Sequence, residues 1–267
     1  TIGADPEFLF VRRSDHSIAS ARTYLRNTIV LADGHSNLGW DGASIPGEIR
    51  PHFSTIPVQV VKNIQDLLTQ LVVRHPAVGR NHMLIAGNGG YGYSTGGHIH
   101  IGGVSYNTMP QQMYVSYLDT FLLPVGIALS STQGVLDRLG SGYGEWASHR
   151  PQTWGMEYRS LPSWLYHPMT ALFFLQATKA LAVSLTAANI NGEELMEFGY
   201  SPTAIVTGRA PRFFLEASIR GMHKRARRSI ELLSSLPLMQ CDAGLLSSTF
   251  VVDMINRNET WDEKDLF

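Results

Sequence analysis

The chain has 267 residues, of which 44% are hydrophobic and 16% are charged, and its formal net charge is −1. This is an ordinary globular balance, and the near-neutral charge excludes a global field that would draw the chain to nucleic acid or to an anionic membrane. The lone cysteine, Cys241, excludes an internal disulfide and a thiolate zinc site. Without a signal-peptide pattern at its start or an apolar stretch that we expect to span a bilayer, the chain is expected to be soluble and cytoplasmic.

The first third of the chain predicts short strands and one helix. Residues 2–11 predict a strand, and 29–31 begin a second extended segment. Apolar residues recur at helical period over 57–74, and Pro57 suits the first helical turn. A short strand is expected at 82–86.

Helices dominate the remainder. Residues 110–130, 167–187 and 211–236 predict apolar or amphipathic helices, and the polar, glycine-rich residues 140–154 predict a substrate loop. The last helix carries a basic face at 220–228. Because the net charge of the chain is near zero, we expect this face to be solvated and not to bind nucleic acid. No repeat or low-complexity linker interrupts the chain. We therefore expect a single domain over residues 1–267, of α+β class, with the chemistry on strands and the helices on one side of the sheet.

Four pairs of ionisable residues are each separated by one residue and lie in predicted strands. Because residues i and i+2 of a strand point to the same face, each pair directs both groups to one surface. A shared surface crowded with acids is unfavourable unless cations lie among them. The pairs are Asp5/Glu7, Glu48/Arg50, His98/His100 and Glu157/Arg159.

The acids of these pairs, together with Asp41, offer the hard oxygen ligands that Mg²⁺ or Mn²⁺ prefers. His98 and His100 add two imidazoles to one strand face, for which zinc is the rival metal. The number of carboxylates and the lack of further well-spaced histidines favour Mg²⁺. The alternatives are a solvated acidic face and two histidines that flank a buried Ile99 and bind no ligand.

Arginines near the last pair predict an anion pocket. Glu157 is suited to bind metal while Arg159 neutralises phosphate oxygens, although ordinary ion pairing between the two is the alternative. Arg138 and Arg150 lie upstream and are candidates for the same pocket.

A glycine-dense loop occupies residues 87–97. It lacks the Gly-Lys-Ser/Thr of a P-loop and leads into a strand rather than a helix, so neither the P-loop nor the Rossmann context is met. We expect it to form a wall of the site, with a purely structural role as the alternative.

The order of these motifs resembles that of the phage-type carboxylate–amine ligases, in the glutamine synthetase and glutamate–cysteine ligase superfamily. The resemblance covers roughly residues 1–165. It is carried by Gly3-Ala4-Asp5-Pro6-Glu7-Phe8, Asp41-Gly42, Glu48-Ile49-Arg50-Pro51, Gly97-His98-Ile99-His100-Ile101-Gly102, Tyr143-Gly144 and Glu157-Tyr158-Arg159-Ser160-Leu161.

The resemblance implies a curved antiparallel sheet whose concave face holds ATP and metals, with helices on the convex face. It implies two metal subsites, although Asp5 stands where glutamine synthetases usually have a longer glutamate. The metal ligands expected are Asp5, Glu7, Asp41, Glu48, His98 and Glu157. The residues expected to bind nucleotide or phosphate are His98, His100, Arg138, Arg150 and Arg159, of which Arg159, together with Arg50, is also expected to act in catalysis.

The reaction implied by the resemblance begins when a small-molecule or peptide carboxylate attacks the γ-phosphate of ATP. The resulting acyl phosphate then reacts with an amine, and Glu145 is our candidate for the base that accepts the amine proton. Two alternatives remain open: a metal-dependent hydrolase of amides or phosphoesters, and a non-catalytic binding or assembly module. Superfamily members often assemble, so a homo-oligomer is also open, and a phage-encoded chain would work in the host cytoplasm.

Overall fold

The computed structural model describes residues 1–42, 45–86, 91–104, 111–188 and 212–256. These residues form one open, curved antiparallel sheet with helices packed against one face. The predicted α+β class is therefore confirmed.

Nine strands make up the sheet in the described part of the chain. They are β1 (Ile2–Arg12), β2 (Ile18–Ala19), β3 (Ile29–Val30), β4 (Asn37–Trp40), β5 (Gly47–Arg50), β6 (His82–Ile85), β7 (Gly97–Gly102), β8 (His149–Gln152) and β9 (Gly155–Tyr158). Their order is β3-β4-β5-β1-β7-β9-β8, and β2 and β6 pair with the second half of β1. The central β1 therefore contacts four other strands.

The alternation of side chains along β1 separates the core from the site. Phe8 and Phe10 belong to the main hydrophobic core, which includes the helices. Asp5 and Glu7 point to the opposite face, because neighbouring residues of a strand alternate between faces. On that second face, Leu9 joins a small apolar cluster beyond the two acids.

Helices cover the face of the sheet that carries Phe8 and Phe10. They are α1 (Ala21–Tyr24), α2 (Pro57–Arg74), α3 (Pro76–Asn81), α4 (Gln111–Phe121), α5 (Leu123–Ala128), α6 (Thr132–Gly140), α7 (Pro168–Ala188), α8 (Arg212–Ser234) and α9 (Asp242–Asn256), with a 3₁₀ turn at Pro237–Met239. Helices α2 and α7 contact the strands directly, and α8 and α9 pack mainly on other helices.

The helix predicted over 110–130 is two helices. Helix α4 ends at Phe121, and Pro124 lies in the first turn of α5. Proline has no backbone N–H and clashes with the carbonyl four residues earlier, so one continuous helix through this point is unfavourable. The helices predicted over 57–74 and 167–187 are confirmed, the latter shifted by one residue.

Helix α7 corrects the expectation that every apolar stretch is too short or too interrupted to cross a membrane. By length and composition alone, Pro168–Thr186 is long enough and apolar enough to do so, and 67% of this stretch is buried within the protein. Phe173 and Phe174 are fully buried in the main core. Packing against α2, α9 and the strands β1 and β7 accounts for the apolar composition of the helix.

Candidate active site

A polar cavity of about 410 Å³ opens on the face of the sheet that carries Asp5 and Glu7, and α6 borders it through Arg138. All six residues that the sequence proposed as metal ligands line it: Asp5, Glu7, Asp41, Glu48, His98 and Glu157. Three of the predicted arginines also line it: Arg138, Arg150 and Arg159. The structure thus brings acids, an imidazole and guanidinium groups around one space.

Strand register places the site residues side by side. Asp5 lies opposite His98 in the β1–β7 pair, and Glu7 lies opposite Glu48 in the β1–β5 pair. Residues directly opposed in an antiparallel pair have their side chains on the same face, with Cβ atoms about 5 Å apart. The cluster is therefore a direct product of the pairing of β1 with its two neighbours.

Asp5 lies between two imidazoles. Its Oδ1 atom is 3.4 Å from His98 Nδ1 and 3.2 Å from His100 Nε2. Burial raises the pKa of Asp5, but the interactions with His100 and His98 outweigh burial and hold the pKa well below its ordinary value. Asp5 is therefore a fixed negative charge in the site.

His100 belongs to the acid cluster although it does not line the large cavity. Asp5, His100 and Glu157 each offer a ligand atom within 4.8 Å of the others. The sequence assigned His100 to the nucleotide rather than to metal, since the resemblance supplied only His98 as a ligand. The signal that points to His100 is its register, because it lies directly opposite Glu157 in the β7–β9 pair.

Glu157 is buried, with 1% of its side chain exposed, and lies against two arginines. Its Oε2 atom accepts a hydrogen bond of 2.7 Å from Arg150 Nε, and its Oε1 atom is 3.2 Å from Arg159 Nε. His98 Nδ1 is 3.6 Å from the same Oε1 atom. The ion pair between Glu157 and Arg159, which the sequence left as the alternative to separate roles, is therefore present in the structure.

Glu7 is buried beside a glycine that makes room for His98. Burial raises the pKa of Glu7, although His98, the Gly96 N–H donor and Arg138 all oppose the rise. The Gly96 N–H donates a hydrogen bond of 2.7 Å to Glu7 Oε2. A Cβ at position 96 would collide with the His98 ring, so this end of the glycine-dense loop serves close packing.

The remainder of that loop contributes part of the cavity wall. Gly92, Tyr93 and Ser94 line the cavity, as the sequence predicted for a wall of the site. Residues 87–90 of the same loop lie outside the described residues.

Arg138 is a buried cation at the cavity. Helix α6 holds it with 4% of its surface exposed, and burial lowers its pKa to about 10 although Glu7 opposes the fall. Its Nη2 atom donates a hydrogen bond of 3.1 Å to the Arg159 carbonyl oxygen. Its Nε atom has no hydrogen-bond partner among the described residues. Gly144 permits this position, since a Cβ there would lie 2.6 Å from Arg138 Nε.

Two predicted catalytic residues lie away from the cavity lining. Arg50 pairs with Glu48 and lies 3.4 Å from the Asn37 side-chain oxygen. Glu145 is half-buried in the loop between α6 and β8, and its side chain is not among those that line the cavity. Spacing along β5 places Arg50 on the same face as Glu48, so its guanidinium pairs with a cavity-lining acid without lining the cavity itself.

An antiparallel sheet with buried acids, histidines and arginines on its open face is the arrangement expected of a carboxylate–amine ligase. The chain belongs to the family of phage phiEco32-like COOH-NH2 ligases, type 2, whose sequence profile matches residues 2–266. The match includes the helical C-terminal third, where the sequence offered no motif. A comparison with curated proteins found no match.

Proposed function

We propose that the chain is an ATP- and Mg²⁺-dependent ligase that joins a carboxylate to an amine through an acyl phosphate. The observation that carries this proposal is the meeting of five acids and three arginines in one cavity. Family membership supports formation of the C–N bond. Reaction of a carboxylate with a triphosphate brings anions together, and this cavity supplies groups suited to that task.

The donor atoms of the cavity fit Mg²⁺ or Mn²⁺, which prefer hard oxygen ligands. Asp5 Oδ1 and Glu157 Oε1 are buried and form no aligned hydrogen bond with described residues. The residues that would hold metal are Asp5, Glu7, Asp41, Glu48, His98 and Glu157, and the geometry adds His100. When bound, divalent ions neutralise phosphate and carboxylate oxygens so that these can approach each other.

The arginines are suited to the phosphates of ATP. A guanidinium presents a planar fork of donors to phosphate oxygens. Arg138 is held rigidly by burial, and Arg159 lies at the end of β9 beside Glu157. We assign Arg138 and Arg150 to nucleotide binding, and Arg159 to the phosphoryl group in transfer.

The proposed reaction requires no nucleophile from the enzyme. An oxygen of the carboxylate attacks the γ-phosphorus and ADP leaves, and the amine then attacks the acyl carbon and phosphate leaves. The amine must also give up one proton. Glu145 does not line the cavity, so its position does not support it as the proton acceptor. We place the acceptor among the residues that line the cavity. The substrates are a small-molecule or peptide carboxylate and amine.

Calorimetry with ATP, in the presence and absence of Mg²⁺, tests the proposal. We expect binding that requires Mg²⁺ and that raises the melting temperature, because a ligand that binds only the folded state stabilises it. Glu157→Gln should lose this binding, while the exposed control Glu231→Gln should retain it.

Two results would replace the proposal with an alternative. Metal binding with no response to ATP would favour a hydrolase. The absence of any response to metal or ATP would favour a binding or assembly module.

A further inference from the structure

Asp119 is a buried carboxylate on the helical side of the sheet and does not line the cavity. It belongs to α4 and is 5% exposed. Its Oδ1 atom accepts a hydrogen bond of 2.6 Å from the Tyr158 hydroxyl, and its Oδ2 atom accepts one of 2.6 Å from the Ala147 N–H. Both oxygens are therefore engaged by short bonds.

The two donors belong to two parts of the site. Tyr158 is the last residue of β9, and it stands between Glu157 and Arg159. Ala147 belongs to the loop 141–148, which lies between α6 and β8. Asp119 thus joins the strand that carries Glu157 to a loop on the arginine side of the cavity.

The loop 141–148 contributes directly to the cavity. Ser141 and Tyr143 line it, and the loop leads into β8, which carries Arg150. The Ser148 carbonyl oxygen accepts a hydrogen bond of 2.9 Å from the Arg159 N–H. A shift of this loop would therefore move groups on the arginine side of the site.

The backbone of Ala147 depends on this support. Its φ angle is +58°, in the left-handed region that residues other than glycine rarely adopt. The hydrogen bond from its N–H to Asp119 holds this conformation, as does the contact of 2.8 Å between its carbonyl oxygen and His149 Nδ1. Loss of the Asp119 acceptor would remove the partner of the Ala147 N–H on a strained residue.

The burial of Asp119 lowers the stability of the folded protein at neutral pH. Burial raises its pKa to about 6, although the bonds from Tyr158 and Ala147 oppose the rise. The ionised form is therefore disfavoured by the fold at neutral pH. Residues that reduce stability in this way are common where function requires a fixed geometry.

We infer that Asp119 is a positioning residue of the ligase site, which acts through Tyr158 and Ala147 to fix the loop 141–148 against β9. In this role it sets where Tyr143, Arg150 and Arg159 lie in the cavity. The inference rests on the proposed function of that cavity.

Two measurements test it on the full chain: calorimetric affinity for the non-hydrolysable analogue AMP-PNP with Mg²⁺, and hydrogen exchange of the amides of 141–150 without ligand. Asp119→Ala should weaken AMP-PNP binding by about 10-fold or more and accelerate exchange in the loop, because the Ala147 N–H and the Tyr158 hydroxyl both lose the Asp119 acceptor. Asp66→Ala, which removes a half-exposed acid from α2, should change neither.

Rescue separates positioning from general destabilisation. Adding Ala147→Gly to Asp119→Ala should restore about 3- to 5-fold of the lost affinity, because glycine adopts positive φ without strain. Relief of this strain also stabilises the whole protein, so affinities are compared at a temperature where every variant is fully folded. Under that condition a global gain in stability leaves affinity unchanged, and a purely structural role for Asp119 predicts no such recovery. If Asp119→Ala fails to fold, the same comparison is made with Asp119→Asn, which keeps one acceptor oxygen.

The inference is overturned if folded Asp119→Ala retains both the affinity and the loop exchange of the wild-type chain, or if Ala147→Gly restores nothing. Failure of the wild-type chain to bind AMP-PNP would contradict the proposed function instead. In that case the exchange data alone decide whether Asp119 fixes the loop.

Discussion

Asp5 and His98 are directly opposed across the β1–β7 pair, and Asp5 Oδ1 lies 3.4 Å from His98 Nδ1. Each is followed two residues later by another polar group on the same face, Glu7 on β1 and His100 on β7. The two strands therefore present a continuous polar strip, and Glu157 on β9 extends it sideways. The predictions below concern the groups that border this strip.

Glu157→Gln is expected to remove Mn²⁺ binding and to lower the free energy of unfolding by roughly 1–3 kcal/mol, since Arg150 and Arg159 lose a charged partner. Relief of repulsion among the neighbouring acids acts in the opposite direction. Chemical denaturation and Mn²⁺ titration followed by electron paramagnetic resonance measure the two effects. A stability gain would mean that repulsion outweighs the arginine contacts.

Gly144→Ala is expected to weaken nucleotide binding because the new Cβ would lie 2.6 Å from Arg138 Nε and displace that side chain. Gly142→Ala is the matched control. Gly142 lies in the same loop with a φ angle of +79°, close to the +72° of Gly144, and a Cβ there meets nothing within 4 Å. Both variants should lose about 1 kcal/mol of stability from backbone strain. Equal affinities for AMP-PNP in the two variants would show that Arg138 does not contribute to binding.

Arg159→Lys is expected to slow turnover by about 10- to 1000-fold, because lysine keeps the charge and loses the planar fork. ATP affinity should change much less, since the contact strengthens mainly as phosphate is transferred. ATP binding and single-turnover release of phosphate from Mg²⁺·ATP test this split. If affinity collapses while bound enzyme turns over normally, Arg159 is a ground-state binder.

Asp119→Asn is expected to change how stability depends on pH. Burial raises the folded-state pKa of Asp119 from 3.8 to about 6, so the stability linked to its protonation is complete below 3.8 and is lost as pH rises through about 6. Relative to the Asn variant, the wild-type chain should therefore lose roughly 2–3 kcal/mol between about pH 4 and pH 7. Denaturation curves of both proteins across this range provide the measurement. A constant difference would mean that Asp119 titrates normally.

Local patterns in the sequence predicted much of the sheet. The alternation in β1 placed Asp5 and Glu7 on one face because strand periodicity depends only on neighbouring residues. Which strands pair with β1 is non-local, and only the motif order linked Asp5 to His98. The pairing of Arg50 with Glu48 follows from their spacing along β5, but its contact with Asn37 was not predictable because Asn37 lies on another strand.

Asp119 was missed for a similar reason. It is a single acid within an apolar helix, and the sequence gives no indication that its partners lie at Tyr158 and Ala147. A charged residue on the apolar face of a helix is the signal that would have marked it, because such residues are seldom buried without a partner. The end of α4 before α5 also has a signal in the sequence, which is Pro124.

The strict alternation of β1 makes this strand intolerant of changes in length. Inserting or deleting one residue between Ala4 and Phe8 would slip the register and exchange the two faces, which would send carboxylates into the apolar core and phenyl rings into the cavity. Substitutions at single positions spare the rest of the strand. Natural variation in this segment should therefore consist of replacements, with insertions and deletions confined to the loops.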